Sequence, residues 1–135
     1  MKAYILAGGY SRRLKQNKLL YKFSFGTLIE LSVSVLKSKG HTPVIVKRPE
    51  DDSFDYLSVD TIDITSRIQG SLGSFLSIPF NEPCLVLDGD VIYDPEIIDI
   101  IAKSNTSICA SSSIDYATGD EVYITTDSHN RITRV

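Results

Sequence analysis

The sequence is short of the features that define several protein classes. Its 135 residues include only two cysteines and two histidines, whose scattered positions make no zinc-binding pattern. They are Cys84, Cys109, His41 and His129. No apolar run approaches the ~20 residues that a membrane-spanning helix needs. Both cysteines fall in apolar segments typical of strands, so we expect buried free thiols and a cytoplasmic protein.

Basic charge is also missing in the concentrated form that nucleic-acid binding needs. The net charge is −3 and Lys and Arg form no block, so we expect no nucleic-acid partner. The apolar run at the N-terminus is too brief for a signal peptide and ends at Gly8 and Gly9, which favours a buried first strand. A composition of 42% hydrophobic and 23% charged residues is typical of one globular domain.

Strand and helix patterns alternate along the first 110 residues. The strands are predicted at 2–7, 43–47, 57–64, 84–87 and 107–110, and the helices at 27–39, 95–103 and, after two glycines, within 70–78. Two further strands, 122–126 and 132–135, flank a turn. This order predicts an α/β fold, a Rossmann-like three-layer α/β/α sandwich with a mostly parallel sheet. Ligands of such folds bind beyond the carboxyl ends of the strands.

A glycine-led polar loop follows the first strand. Gly8 and Gly9 allow a tight turn whose successive N–H groups can hold an anion, while Arg13 and Lys18 supply two cations for phosphate. The simpler alternative is a tight connection with solvated basic residues. The loop lacks the spacing of the Walker phosphate loop and of the dinucleotide-binding fingerprint.

The same segment resembles the signature of a known superfamily. The motif Leu6-Ala7-Gly8-Gly9-x-Ser11-x-Arg13-Leu14, followed by Lys18-Leu19-Leu20 and by Gly26-Thr27-Leu28-Ile29-Glu30, is similar to nucleotidyltransferases with a GT-A-like fold. These include small cytidylyltransferases acting on inositol phosphate or phosphocholine, and the guanylyltransferase of molybdenum cofactor synthesis. The resemblance implies nucleotide binding by Leu6, Ala7, Gly8, Gly9, Ser11, Arg13 and Lys18. Lys15 and Asn17 depart from one branch, which has Gly and Asp there.

Two later segments are candidates for the same site. Asp88 and Asp90 place two carboxylates at a strand end, where hard oxygen ligands suit Mg²⁺, although Asp-Gly is also common in plain turns. The resemblance assigns the metal to Asp90 and nucleotide contact to Asp88. It also places Gly70, Ser71 and Gly73 beside base and ribose, and a helix cap at Ser71 is the structural alternative.

The C-terminal segments point to the acceptor side. Residues 118–124 and 130–135 resemble the acceptor region of the small cytidylyltransferases, so we expect nucleotide binding in 1–110 and the start of an acceptor part in 111–135. The chain stops inside a predicted strand, and we therefore expect a fold truncated at its C-terminus. Charges at Asp120 and Glu121, and those from Arg48 to Asp55, are expected to be solvated.

The expected reaction is nucleotidyl transfer. A phosphate-monoester oxygen of a small acceptor attacks the α-phosphorus of a nucleoside triphosphate, with CTP preferred, Mg²⁺ as cofactor and pyrophosphate released. Arg13 would neutralise pyrophosphate and Lys18 the α-phosphate. Guanylyl transfer from GTP to molybdopterin, a GT-A glycosyltransferase and a non-catalytic nucleotide-binding domain stay open as alternatives, as does a homodimer. A glycosyltransferase is disfavoured because a sugar donor releases no pyrophosphate.

Overall fold

A computed structural model describes residues 1–11, 16–104 and 125–134. The chain divides into two compact units, Met1–Asn105 and Thr106–Val135. The elements of the first unit are β1 (Lys2–Leu6), β2 (Lys22–Phe23), β3 (Gly26–Thr27), α1 (Leu28–Ser38), β4 (Thr42–Lys47), β5 (Asp60–Asp63), α2 (Ser71–Leu76), β6 (Cys84–Asp88) and α3 (Pro95–Lys103). Two 3-10 turns lie at Lys18–Leu20 and Asp55–Leu57.

Four parallel strands form the central sheet in the order β5-β4-β1-β6. The chain builds outwards from β1 to β4 and β5, and then returns across β1 to add β6 on the other side. Leu6, the last residue of β1, is in register with Val46 of β4 and with Asp88 of β6. The change of direction therefore falls between the carboxyl ends of β1 and β6, which is where open parallel sheets bind their ligands.

Helices cover both faces of this sheet. Alternate residues of β1 point to opposite faces, so Ala3 and Ile5 join the core beneath α1 and α3, while Tyr4 joins a smaller core that contains Ile78. The side chain of Ile5 is fully buried and that of Tyr4 is 1% exposed. The predicted three-layer α/β/α sandwich and its parallel sheet are confirmed.

The helix ends follow the sequence signals. Thr27 caps α1 by accepting a hydrogen bond from the Glu30 N–H, and the Glu30 carboxylate accepts one from the Thr27 N–H, a complete capping box. Gly40 follows the same helix in the left-handed conformation, with φ of 74°. Asp94 caps α3 and Pro95 is its first residue. The predicted caps are confirmed.

Two of the predicted element boundaries, and the predicted full burial of Cys84, were wrong. The third strand begins at Asp60 rather than Leu57, because a 3-10 turn is closed by Ser58 in the left-handed conformation. Helix α2 includes Gly73 instead of following it, and a glycine is needed there because a Cβ would overlap the Ile68 carbonyl oxygen. Cys84 is a free thiol but half-buried, and this partial burial raises its pKa.

The second unit is described only at its C-terminal hairpin, β7 (Thr125–Thr126) and β8 (Ile132–Arg134). Asp127 forms the turn, since its Oδ1 accepts hydrogen bonds from the N–H groups of His129 and Arg131. The turn predicted here is confirmed. The strand predicted at 107–110, Cys109, and the segment with Asp120 and Glu121 lie outside the described residues. None of the described helices has the length and apolarity needed to cross a membrane.

Candidate functional site

The carboxyl edge of the sheet collects segments from all four strands. The Gly8–Gly9 loop follows β1, Arg48 follows β4, Ile64 follows β5, and the segment from Gly89 to Asp90 follows β6. In a parallel sheet these ends share one edge, so residues far apart in sequence become neighbours there.

The two glycines of the loop lie in different surroundings. A Cβ on Gly8 would overlap Ile64 Cδ1 and lie 2.7 Å from Ser74 Oγ, so this glycine lets the loop pass between the end of β5 and helix α2. A Cβ on Gly9 would meet no atom within 4 Å. The side of the Gly9 backbone on which a Cβ would lie is therefore open, and a ligand can approach it closely there.

Arg48 holds this loop from the side of β4. Its Nη1 donates hydrogen bonds to the Gly8 carbonyl oxygen at 3.3 Å and to the Gly9 carbonyl oxygen at 3.1 Å. Its Nη2 donates to Asp51 Oδ2 at 3.0 Å, and its guanidinium carbon lies 4.4 Å from the centroid of the Tyr10 ring. The expectation that Arg48 and Asp51 are solvated was wrong, since their side chains are only 19% and 8% exposed.

Lys18 is oriented by the segment that follows the loop. Ser11 adopts the left-handed conformation, with φ of 45°, and its Oγ accepts a hydrogen bond from the Lys18 N–H at 3.1 Å. Asn17 caps the 3-10 turn through the Leu19 N–H, and the Leu19 side chain is buried. Lys18 thus starts a turn that is anchored on both sides, with its side chain directed to the sheet edge.

At that edge the Lys18 ammonium forms an ion pair with the Asp90 carboxylate. Asp88 lies beside it, and its backbone N–H donates a hydrogen bond to the Tyr93 hydroxyl at 3.0 Å. Partial burial and the neighbouring Asp90 charge raise the pKa of Asp88, while Lys18 acts in the opposite sense. Burial also raises the pKa of Tyr93.

Gly89 allows the two carboxylates to sit so close to β1. Its N–H donates to the Leu6 carbonyl oxygen at 3.1 Å, and a Cβ there would lie 2.7 Å from that same oxygen. The residue between the carboxylates is therefore fixed against the strand that carries the glycine loop.

An open cleft of about 240 Å³ borders the loop on the other side. Its lining includes Gly8, Tyr10, Arg48, Ile64, Ile68 and Gly70. Gly70 precedes α2 with φ of 82°, a conformation that favours glycine, and Ser71 is exposed as the first helical residue. The alternative reading of Ser71 as the helix cap is wrong, because Gly70 occupies the cap position and makes no side-chain bond.

The predicted residues therefore fall into three groups. Lys18, Asp88 and Asp90 lie at the ends of β1 and β6, with Ser11 bonded to the Lys18 N–H. Gly8 and Gly9 lie on the other side of β1, against Arg48 and Ile64, with Gly70, Ser71 and Gly73 at the adjoining helix α2. Leu6 and Ala7 are largely buried in the sheet, where the Ala7 N–H donates to Val46. Arg13 is outside the described residues. Arg48, Asp51 and Tyr93 were missed, because nothing local in the sequence marks their long-range bonds.

The site has few candidates for metal ligands. Within residues 1–11, 16–104 and 125–134, no group of three or more His, Cys, Asp or Glu side chains could hold an ion. Asp88 and Asp90 are the carboxylates at the end of β6, whereas Glu50 and Asp51 are bonded to Arg48.

Comparison with known families agrees with this geometry. The family described as the MobA-like NTP transferase domain matches residues 3–129. The chain belongs to this family, and it is a nucleotidyltransferase that uses a nucleoside triphosphate as substrate. No curated protein matches the chain significantly.

Proposed function

We propose that this nucleotidyltransferase transfers a nucleoside monophosphate from CTP to a small acceptor that carries a phosphate monoester, and releases pyrophosphate. The carrying observation is the Lys18–Asp90 ion pair at the end of β6, the strand that pairs with β1 just ahead of the Gly8–Gly9 loop. It brings together a cation and a carboxylate, 72 residues apart in sequence, at the same edge of the sheet as that loop. Phosphoryl chemistry of this kind depends on positioning and on neutralising charge.

The triphosphate would lie along the loop. Backbone groups from Leu6 to Gly9 and the Ser11 region would contact it, and Arg13 would neutralise the departing pyrophosphate. Gly70 and the adjoining Ser71 would approach the base and ribose by way of the cleft, whose lining includes Gly8 and Gly70, while the buried Gly73 would let helix α2 pack against Ile68 beside it. The packing of Gly8 against Ser74 supports this, because it holds the loop against helix α2.

Lys18 would stabilise the charge that grows on the α-phosphate as the acceptor oxygen attacks. In the structure its ammonium is bound to Asp90, so the side chain already reaches the edge where that phosphate would lie. The pair is half exposed, with side-chain exposures of 45% and 37%, so breaking it to release the ammonium to a substrate costs little.

The carboxylates fit Mg²⁺. Carboxylate oxygens are the ligands this ion prefers, and Mg²⁺ usually takes only one or two of them, with water and substrate phosphates completing its shell. Asp90 would hold the ion and Asp88 would assist, while Lys18 moves to the phosphate. When bound, the ion supplies positive charge that orients the triphosphate and makes the α-phosphorus easier to attack.

The preference for CTP and a small phosphorylated acceptor is supported by the resemblance of residues 118–124 and 130–135 to the small cytidylyltransferases. Of these residues the structure describes 130–134, which include one strand of the hairpin that turns at Asp127.

The test is pyrophosphate release from each of the four triphosphates, with Mg²⁺ and with inositol phosphate, phosphocholine or molybdopterin as acceptor. We expect CTP with a small alcohol phosphate to give the highest kcat/KM. A preference for GTP with molybdopterin would overturn the proposed substrates. No release with any pair would favour a non-catalytic domain.

The role of Lys18 has its own test. Lys18→Ala is expected to lower kcat about 10²- to 10³-fold, the usual effect of losing one group that stabilises transition-state charge. Lys37→Ala is the matched control, since Lys37 is exposed on α1. Near-normal turnover by a folded Lys18→Ala protein would disprove the assigned role.

A further inference from the structure

The Arg48 guanidinium uses most of its hydrogen-bonding capacity within the protein. An arginine has five N–H donors. In Arg48, Nε bonds Glu50 at 3.1 Å, Nη1 bonds the carbonyl oxygens of Gly8 and Gly9, and Nη2 bonds Asp51. Little capacity is left for a direct grip on a phosphate. The side chain is therefore suited to act through the loop rather than on the substrate.

Asp51 keeps this guanidinium in place. Its Oδ2 accepts the bond from Arg48, and its Oδ1 accepts bonds from the N–H and the hydroxyl of Ser53. The Asp51 side chain is 8% exposed, so the ion pair is shielded from water and from competing partners. Arg48 is thus fixed at its backbone by the end of β4 and at its tip by Asp51.

A hydrogen bond that holds a backbone carbonyl also fixes the direction of the N–H in the same peptide plane. The described peptide bonds are all trans, and in a trans peptide the N–H points opposite to the carbonyl of the same plane. The bond from Arg48 to the Gly8 carbonyl therefore turns the Gly9 N–H away from Arg48, and the bond to the Gly9 carbonyl orients the following N–H in the same way. A Cβ added at Gly9 would meet no atom within 4 Å, so that side of the Gly9 backbone is open to a ligand.

We propose that Arg48, locked by Asp51, is a positioning residue that pre-orients the backbone N–H groups of the Gly8–Gly9 loop for the triphosphate. This inference rests on the proposed function, because it assumes that the loop binds phosphate. Two successive glycines without a bonding partner have great conformational freedom, and the entropy lost on ordering them when the nucleotide binds would reduce its affinity. Arg48 orders it before the nucleotide arrives.

Arg48→Lys and Asp51→Asn test the proposal with little change in size. Lysine keeps the charge but cannot span two carbonyls and a carboxylate, because it lacks the fork. Asp51→Asn keeps an oxygen for Ser53 and removes the charge that locks the guanidinium. Lys37→Ala again serves as control. The readouts are the Kd for CTP and for inorganic tripolyphosphate by calorimetry, the KM for CTP and for the acceptor, and the amide NMR shift of Gly9.

We expect both variants to weaken CTP and tripolyphosphate binding on the order of tenfold, which corresponds to one lost charge-assisted hydrogen bond. The Gly9 amide signal should move, kcat at saturating CTP should change less than its KM, and the KM for the acceptor should stay unchanged. A role in folding alone would lower the melting temperature without this pattern.

The outcomes separate the two proposals. Unchanged Kd values and an unchanged Gly9 signal in folded variants would overturn the role of Arg48. Binding of CTP by the wild type without turnover of any acceptor would overturn the proposed reaction, while the Kd values still decide the role of Arg48. A wild-type chain that binds neither CTP nor tripolyphosphate would overturn both.

Discussion

Gly89→Ala is expected to damage folding and the site together, because Gly89 lies between the two carboxylates and against β1. Its added Cβ would lie 2.7 Å from the Leu6 carbonyl oxygen, 3.2 Å from Leu19 Cδ1 and 3.3 Å from Ile5 Cγ2. A carbonyl oxygen in a strand cannot rotate away as a side chain can. The end of β6 must therefore move away from β1 by several tenths of an ångström.

The size of the effect follows from two contributions. Overpacking at a close contact costs about 1–3 kcal/mol, and weakening the hydrogen bond from the Gly89 N–H to Leu6 costs about 1 kcal/mol within that range. For a domain of this size we expect the melting temperature to fall by roughly 3–12 °C. Asp90 moves with the strand end, so kcat is expected to fall as well.

The assay is thermal unfolding followed by circular dichroism, with pyrophosphate release measured on the folded fraction. Gly9→Ala is the matched control for stability, because its Cβ would meet no atom within 4 Å. We expect its melting temperature to equal or slightly exceed that of the wild type, since alanine reduces the freedom of the unfolded chain. A Gly89→Ala protein as stable as Gly9→Ala would refute the argument that Gly89 is required by the approach of β6 to β1.

Two further predictions concern the scaffold. Thr27→Ala removes half of the capping box and is expected to lower the free energy of unfolding by about 1 kcal/mol, measured by urea unfolding. Thr27→Ser keeps the capping oxygen and should lower it much less. Equal losses in the two variants would mean that the cap bond is unimportant. Asp99 is bonded to Lys39, and this bond lowers the pKa of Asp99. Its contribution to stability is therefore present above the ordinary carboxyl pKa near 4 and lost as the pH falls through the lowered value. The melting temperature of Asp99→Asn should be lower than that of the wild type at pH 7 and equal to it near pH 2. A difference in melting temperature that does not depend on pH would contradict this assignment.

Much of the scaffold could be predicted from local patterns. The capping oxygens of Thr27 and Asp94 and the glycine at position 40 act within a few residues of themselves, so the sequence carries the whole signal. The meeting of Lys18 and Asp90 at one edge was also predictable in outline, because the carboxyl ends of parallel strands share an edge.

The rest depends on contacts that sequence spacing does not encode. Arg48 stands in a charged stretch that resembles a solvated loop, and only the position of β4 beside β1 brings it to the glycine carbonyls. Tyr93 meets the Asp88 amide through a turn of irregular backbone, and position 73 within α2 needs glycine because the Ile68 carbonyl occupies the place of a Cβ. In each case a tertiary contact, rather than the preference of the local sequence, decides where the residue lies and what it binds.

The strand order has a consequence for the chain in solution. The site is assembled from the ends of β1, β4 and β6, and β6 joins β1 only after the chain has crossed back over the sheet. The glycine loop and the carboxylates come to one edge only where β6 is paired with β1, so only the complete sheet offers the whole set of nucleotide contacts. A ligand that binds the native state alone stabilises it by about 2.7 kcal/mol at a hundred times its Kd. The supply of nucleotide thus acts on the amount of folded protein as well as on its turnover.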